Sequence, residues 1–178
     1  LAEAWGLNGA AHVEQFDRLA DGQDPHTGEQ IIRSQAAHTI ETKSGAEKTT
    51  MEHRASWEIC LSAPKSVSIT AVYGGDDRVR QAHADAASHA FDVLEKSACA
   101  HRQPGERHPE NTGNWVAVRF SHDEARPVNG YAAPQLHEHL TVFNLTQTAS
   151  GRIRPLETQP IFASKQFATE VYRSELTR

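Results

Sequence analysis

The longest run of helical periodicity lies in the middle of the chain, in the stretch "DDRVRQAHADAASHAFDVLEKSACAHRQ" that begins at Asp76. Its apolar residues recur at the spacing of one helix face, which predicts an amphipathic helix packed on a core. The residues of this stripe are Val79, Ala82, Ala86, Ala90, Val93 and Leu94. Asp76 and Asp77 suit the positive end of the helix dipole, and His101 and Arg102 suit the negative end. The small alanine side chains predict close packing against a sheet.

Two other segments also have helical character. Val13, Phe16 and Leu19 are spaced for one helix face, and Gly22 is a suitable stop after them. Residues 159–178 predict a second long helix at the end of the chain.

Alternating and β-branched segments predict strands on both sides of the long central helix. The clearest are residues 57–61, 114–122 and 136–146. A further short strand should follow the turn in "TASGRIRP". Pro64 interrupts the first of these regions, so a new element is expected after it. Tyr73 is expected at the end of a strand.

The order of these elements sets the expected fold class. Extended segments are also expected within residues 31–56, around a loop near Ser44 and Gly45. Strands with long helices between and after them predict an α+β fold. We expect a central antiparallel sheet with helices packed mainly on one face.

The composition is that of a globular domain, and it narrows the function only slightly. The chain has 178 residues, 38% of them apolar and 23% charged, which suffices for one domain with a sizeable core. No run approaches the roughly 20 apolar residues of a membrane helix, so no membrane segment is expected. Cys60 and Cys99 lie far apart, which favours reduced thiols in a cytoplasmic protein. The net charge of −5 does not by itself indicate a nucleic-acid binder.

Histidine is abundant, with 11 in the chain, and two of them stand one residue apart in "PQLHEHLTVFN". Side chains alternate between the faces of a strand, so His137 and His139 share a face with Cβ atoms roughly 7 Å apart. If the preceding strand pairs with this one antiparallel, His122 approaches the same point. Three imidazoles with open coordination positions suit a catalytic metal site. The simpler alternative is a polar pair decorating a solvated strand.

One residue does not suit this strand. Glu138 lies between the two histidines and therefore shares a face with Leu136 and Leu140. A carboxylate on an apolar face is expected either near an edge of the sheet or paired with a lysine or arginine.

Three segments in a fixed order give the chain a resemblance to a known family. "WEICLSAPKSVSI", "NTGNWVAVRFSHDEAR" and "PQLHEHLTVFNLT" resemble the TrwC/TraI-type conjugative relaxases, the MobF class of histidine-x-histidine endonucleases. The resemblance runs from about Trp5 to the end of the chain. It implies a relaxase-like fold and an enzyme that cuts one strand of plasmid DNA at the transfer origin. A tyrosine of such an enzyme attacks the scissile phosphate and remains attached to the 5′ end.

The resemblance also implies roles for individual residues. His122, His137 and His139 would hold a divalent metal, Mg or Mn in the cell, with other first-row metals as alternatives. Glu58 would activate the nucleophile or orient a metal-ligating histidine. Lys65, in the "SAPKS" block, would contact a phosphate of the DNA. The implied partners are single-stranded DNA at a transfer origin and relaxosome accessory proteins.

The nucleophile is the main departure from the family pattern. The catalytic tyrosines of the family lie in an N-terminal segment upstream of the region that matches Trp5. The tyrosines of this chain are Tyr73, Tyr131 and Tyr172. Tyr131 precedes His137 in a connection and is the alternative nucleophile. We expect instead a single relaxase domain over residues 1–178 that is a fragment, lacking the N-terminal tyrosine segment and the C-terminal continuation.

Several alternatives remain at the level of sequence. A replication initiator or transposase could use the same histidine pair, a non-catalytic DNA-binding or metal-stabilised module would need no nucleophile, and a small-molecule metalloenzyme would need a deep apolar pocket. Arg119 and Arg126 are candidates for DNA contacts, although nothing in the sequence distinguishes them from the other arginines. Trp57, Trp115 and Phe120 are expected mainly in the core rather than against DNA bases.

Overall fold

The computed structural model describes residues 1–7, 9–32, 38–41, 47–50 and 54–178. Within these residues, a short 3-10 helix near the start precedes four α-helices. The helices are the 3-10 helix Glu3–Trp5, α1 (Val13–Ala20), α2 (Lys65–Val72), α3 (Asp77–Glu95) and α4 (Gln159–Leu176). None of the helices in the described ranges is long and apolar enough to cross a membrane.

The described part of the chain also forms ten strands, most of them short. They are β1 (His38–Glu41), β2 (Glu47–Thr50), β3 (Ser56–Ser62), β4 (Cys99–Ala100), β5 (Glu110–Asn111), β6 (Ala117–Glu124), β7 (Pro134–Phe143), β8 (Thr146–Gln147), β9 (Ile153–Arg154) and β10 (Leu156–Glu157). The pair β1–β2 matches the expected extended segments, whereas the loop near Ser44 and Gly45 lies outside the described residues.

The sheet that positions the histidines has three antiparallel strands in the order β3-β7-β6. Strand β7 is central and strictly alternates in burial along most of its length. Smaller antiparallel sheets, β10-β4-β5, β8-β9 and β1-β2, complete the strand pairing. The α+β class with an antiparallel sheet is therefore confirmed.

Three helices pack on one face of the central sheet. Helices α3 and α4 cover Leu140 and Val142 of β7 and form the main core with Trp115. Helix α2 covers Leu136 at the other end of β7, where Ser68 Oγ accepts a hydrogen bond from the Leu136 amide at 3.1 Å. Helix α1 is the exception, because it packs on the opposite face of the sheet.

The contact of α1 covers only one end of that opposite face. Phe16 of α1 meets Phe143 of β7 edge-on, with ring centroids 5.1 Å apart. Leu19 and Val116 belong to the same apolar cluster. The remainder of the face, which carries the histidines, is free of α2, α3 and α4.

Helix α3 ends earlier than its sequence suggested. Asp76 caps it by accepting a hydrogen bond from the Arg78 amide, as expected for its N-terminus. The helix stops at Glu95, and His101 and Arg102 lie beyond it, so their placement at its C-terminal end was wrong. Ala98, Cys99 and Ala100 are all buried, a run of consecutive buried positions that suits strand β4 and breaks helical periodicity.

The prediction of a strand ending at Tyr73 was also wrong. Residues 65–72 form α2, and Tyr73 is its C-terminal cap. Pro64 stands at the N-cap, where its missing amide donor costs no hydrogen bond. Packing of Ala71 beneath Leu136 outweighs the β-branched residues that had favoured a strand.

Candidate metal centre

Strand register brings the three predicted histidines together. In the antiparallel ladder His122 of β6 stands directly opposite His137 of β7, and Cys60 and Phe120 flank His139 on either side. All of these side chains project from the face opposite α3 and α4. The ring centroids of the three histidines are 5.1 Å apart for His122 and His137, 5.2 Å for His122 and His139, and 4.9 Å for His137 and His139.

The rings are gathered but are packed against one another. The rings of His122 and His137 are stacked with an interplanar angle of 22°. An imidazole nitrogen directs its lone pair within the ring plane, so two nearly parallel rings do not point at one ion. Accordingly, no three His, Cys, Asp or Glu side chains in the described ranges already stand as a formed metal site. A turn of one ring about its Cβ–Cγ bond is required before the trio can converge.

Hydrogen bonding at Nδ1 leaves the outer ring nitrogen, Nε2, of both His137 and His139 available. His137 Nδ1 lies 2.9 Å from the carbonyl oxygen of Gln135, which can only accept, so Nδ1 carries the proton. His139 Nδ1 lies 2.5 Å from Oε1 of Glu58. With Nδ1 protonated, each neutral ring presents an unprotonated Nε2, the form in which imidazole binds a metal. His137 and His139 therefore offer two imidazole donors of the kind that suits a divalent first-row transition-metal ion.

Glu58 lies where the sequence placed it, on β3 beside the central strand. Its side chain is 60% exposed, and that of His139 is 27% exposed. The contact joins a carboxylate to the inner nitrogen of the imidazole, which is the usual arrangement behind a metal-ligating histidine. Of the two roles expected for Glu58, this geometry favours orientation of His139.

Lys65 has a partner within the fold. Its Nζ donates to the carbonyl oxygen of Pro134 at 2.9 Å. This bond ties the start of α2 to the first residue of β7, just ahead of the histidine pair.

Comparison with known proteins decides the family. The family model for the TrwC relaxase matches residues 1–178. The chain belongs to the TrwC relaxase family. The chain is therefore assigned to the relaxases rather than to a replication-initiator or transposase family.

Relatives of this TrwC-family chain are much longer than it is. It is 32% identical to the multifunctional conjugation protein TraI of Escherichia coli, over 98% of this chain and 10% of that protein. A second TraI, from E. coli strain K12, is also 32% identical, with 98% of this chain and 9% of that protein covered. The chain thus spans about a tenth of the length of the curated relatives it matches.

Solved structures of the conjugative relaxase TrwC share the fold. The copper-bound complex with oriT DNA superposes with a TM-score of 0.77 at 29% identity, covering 99% of this chain and 55% of that one. The metal-free complex with oriT DNA gives the same TM-score and identity, with 99% and 57% covered. A complex with a 27-mer DNA comprising the recognition hairpin and the cleavage site gives a TM-score of 0.76 at 28% identity, with 99% and 57% covered.

Behind the histidine pair, the TrwC-family chain buries an ion pair that accounts for Glu138. Its carboxylate, 3% exposed, accepts hydrogen bonds from Arg119 Nε at 2.8 Å and from Ser121 Oγ at 2.7 Å. Arg119 also reaches α3, donating to Ser88 Oγ at 2.7 Å and to the Ala84 carbonyl at 3.0 Å. Burial raises the pKa of Glu138, but the bonds from Arg119 and Ser121 outweigh it and lower the pKa. Arg119 is therefore committed to the core rather than to DNA.

A second buried contact lies beside this ion pair. His83 Nδ1 is 2.8 Å from the Tyr172 hydroxyl, while His83 Nε2 is buried, lacks a hydrogen-bonding partner among the described residues and lies 3.8 Å from Glu138. Burial lowers the pKa of His83. Burial, followed by the negative charge of Glu138, raises the pKa of Tyr172 to about 12. Tyr172 is thus a buried structural residue with a hydroxyl that resists ionisation.

The other two tyrosines pair with each other on the surface. The hydroxyls of Tyr73 and Tyr131 are 3.3 Å apart, and the side chains are 66% and 59% exposed. The hydrogen bond from Tyr131 raises the pKa of Tyr73. The loop before β7 therefore carries Tyr131 toward the end of α2, where its hydroxyl bonds Tyr73.

Two of the three aromatic residues expected in the core pack there, and the third is exposed. Trp115 is buried and Trp57 packs partly against the main core, as predicted. Phe120 is 43% exposed and faces the histidine side, so its assignment to the core was wrong. The signal was available in "FSH", because strand alternation puts Phe120 on the same face as His122.

Proposed function

We propose that this chain is the DNA-nicking domain of a conjugative relaxase. It would cut one strand of a plasmid transfer origin by tyrosine transesterification and retain a 5′-phosphotyrosine link. The observation that carries the proposal is the cluster of His122, His137 and His139 on an open sheet face in a TrwC-family fold. Solved TrwC relatives are described in complex with oriT DNA, in metal-bound and metal-free forms.

We propose the three histidines as the ligands of a divalent cation, Mg or Mn in the cell. When bound, such a cation supplies Lewis acidity to a phosphate oxygen. Glu58 keeps the His139 ring in one orientation through Nδ1, which fixes the direction of Nε2. The Gln135 carbonyl does the same for His137. The face is open, so a DNA strand has access to the outer nitrogens.

The proposed reaction needs a tyrosine nucleophile and a group that accepts its proton. Glu58 is half-exposed and accepts a hydrogen bond, so it is also a suitable acceptor for the proton of an attacking tyrosine hydroxyl. Tyr172 is buried, and Tyr73 and Tyr131 bond each other, so none of the three is our proposed nucleophile. Lys65 is proposed to place a phosphate only indirectly, by fixing the first residue of β7.

We propose that residues 1–178 form a single relaxase domain, that its ligand is single-stranded DNA at a transfer origin, and that it works in the cytoplasm with relaxosome accessory proteins. Such a strand would be held by basic and aromatic side chains on the histidine face.

Two measurements test the proposal. Titration calorimetry with Mn²⁺ should give one site per chain, and His139→Ala should remove it while the exposed-histidine control His108→Ala retains it. Nicking of a labelled oligonucleotide that carries the cognate transfer origin is measured with the protein at the length that its host produces. His139→Ala should abolish metal-dependent nicking. Nicking at an unchanged rate in that variant would refute the assignment.

A further inference from the structure

A groove next to the histidines suggests a place for a DNA base. It lies between α1, with the residues just before it, and the edge strand β6, and has a volume of about 540 Å³. Its walls include His12, Gln15 and Phe16 on one side and Val118 and Phe120 on the other. A cavity of this size is in the range of small-molecule sites.

Phe120 joins this groove to the histidine face. It stands directly across the ladder from His139, and two residues along β6 from His122. Directly opposed side chains in a ladder have Cβ atoms about 4.5–5.5 Å apart. A planar group resting on Phe120 would therefore lie beside the proposed metal ligands.

The exposure of Phe120 is informative because the residue lies beside His139 in the ladder. Single apolar side chains are common on protein surfaces and need no explanation alone. Phe120, however, is 43% exposed on a strand whose next four residues are also exposed, in the gap between the α1 contact and the histidines. Part of the Phe120 side chain is thus accessible to a flat apolar partner.

The opposite wall supplies polar groups. His12 is exposed and Gln15 is partly exposed, and neither side chain has a hydrogen-bonding partner among the residues that the structure describes. An amide and an imidazole offer both donors and acceptors, which suit the edge of a nucleobase. The groove therefore combines an aromatic side chain on one wall with polar side chains on the other.

We propose that this groove binds one nucleobase of the single-stranded DNA, stacked on Phe120, next to the phosphate held at the histidines. The inference rests on the proposed function, because it takes the histidine face as the path of the strand. Stacking of a base on an aromatic ring is tolerant of sequence, since every base has a π face. The base would anchor the strand so that the adjoining phosphate meets the histidines.

The test compares a strand that has bases with one that lacks them. Fluorescence anisotropy is measured with fluorescein-labelled oligothymidylate and with a strand of equal length made of abasic units. Phe120→Ala and Phe120→Leu should weaken thymidylate binding about 5- to 150-fold, the range of one lost base stack, and Phe120→Trp should retain it. The abasic strand should bind the wild type and Phe120→Ala equally. The control Phe167→Ala, on α4 and 64% exposed, should bind both strands as the wild type does.

The outcomes separate the two proposals. Thymidylate binding that is unchanged in Phe120→Ala, with the wild type still binding, overturns the base site and leaves the nicking proposal standing. An equal loss on the abasic strand, or wild-type affinity in Phe120→Leu, also overturns stacking. A wild type that binds neither strand overturns the proposed function as well. Circular dichroism and the unfolding midpoint establish that each variant is folded.

Discussion

Glu58 Oε1 lies 2.5 Å from His139 Nδ1, although 81 residues separate the two in sequence. The contact exists because β3 and β7 are neighbours in an antiparallel ladder and both side chains project from the same face. The residue directly opposite His139 in that ladder is Cys60, and Glu58 stands two residues away on the same strand. Glu58 therefore reaches the imidazole diagonally. A carboxylate in this position fixes both the ring orientation and the tautomer of the histidine.

Removal of Glu58 should weaken metal binding without abolishing it. Loss of a partner behind a ligating histidine typically costs 10- to 100-fold in metal affinity, so we expect about that loss for Glu58→Ala. Calorimetric titration with Mn²⁺ measures it. Glu29→Ala, at another exposed glutamate, is the matched control and should retain wild-type affinity. Equal affinities in the two variants would mean that Glu58 does not orient His139.

Removal of one partner of the ion pair beneath the histidines should strongly destabilise the fold. Arg119→Ala leaves the carboxylate of Glu138 buried without its main partner, and breaking a buried pair in this way costs about 3–5 kcal/mol. The free energy of unfolding in urea measures this loss. Arg173→Ala, which removes an exposed pair with Glu170, should change it by less than about 1 kcal/mol.

A double variant separates the ion pair from general packing. Arg119→Met combined with Glu138→Leu removes both charges, so no uncompensated charge stays buried, and most of the lost stability should return. If the double variant is no more stable than Arg119→Ala, the loss comes from the contacts of Arg119 with Ser88 and Ala84 instead.

Sequence periodicity predicted the histidine face better than it predicted what lies behind it. Alternation placed His137 and His139 together, and antiparallel pairing added His122, because both depend only on strand geometry. Glu138 was expected either near an edge of the sheet or paired with a lysine or arginine, and the choice of Arg119 required the register of β6 on β7. Long-range register is not encoded in any short window of sequence.

The errors at residues 65–72 and at Phe120 have different physical causes. Residues 65–72 carry β-branched side chains yet form a helix, because burial of Ala71 and Ser68 against β7 outweighs local preference. Phe120 was assigned to the core by its residue type, whereas its position on β6 leaves it exposed beside the groove. Tertiary contacts thus overrode local preference in α2, whereas strand alternation in "FSH" already placed Phe120 on the face of His122.

His83 should make stability depend on pH in the mildly acidic range. Burial lowers its pKa from the ordinary value of 6.5, so the folded chain binds this proton less readily than the unfolded chain does. The stability that neutral His83 contributes is fully present above pH 6.5. It is lost as the pH falls from 6.5 through the lowered pKa that His83 has in the folded chain. Besides burial, the groups that act on His83 are Glu138, Arg119 and His137 through their charges and Tyr172 through its hydrogen bond.

The pH slope of the unfolding free energy measures this effect. Each proton of difference contributes about 1.4 kcal/mol per pH unit within the window, so the wild type should lose stability more steeply than His83→Gln on acidification. The exposed-histidine control His108→Gln should have the slope of the wild type. A His83→Gln slope equal to that of the wild type would show that His83 titrates alike in both states.

The tyrosine pair on the surface gives the sharpest test of where the nucleophile lies. The hydroxyls of Tyr131 and Tyr73 bond each other at 3.3 Å, and that bond raises the pKa of Tyr73, which is the opposite of what activates a phenol for attack. Tyr131→Phe and Tyr73→Phe should therefore form the covalent DNA adduct at the wild-type rate. Denaturing gels of a labelled transfer-origin oligonucleotide, run with the gene product as its host expresses it, detect the adduct. His139→Ala provides the inactive control. Loss of the adduct in Tyr131→Phe alone would place the nucleophile in the connection between β6 and β7.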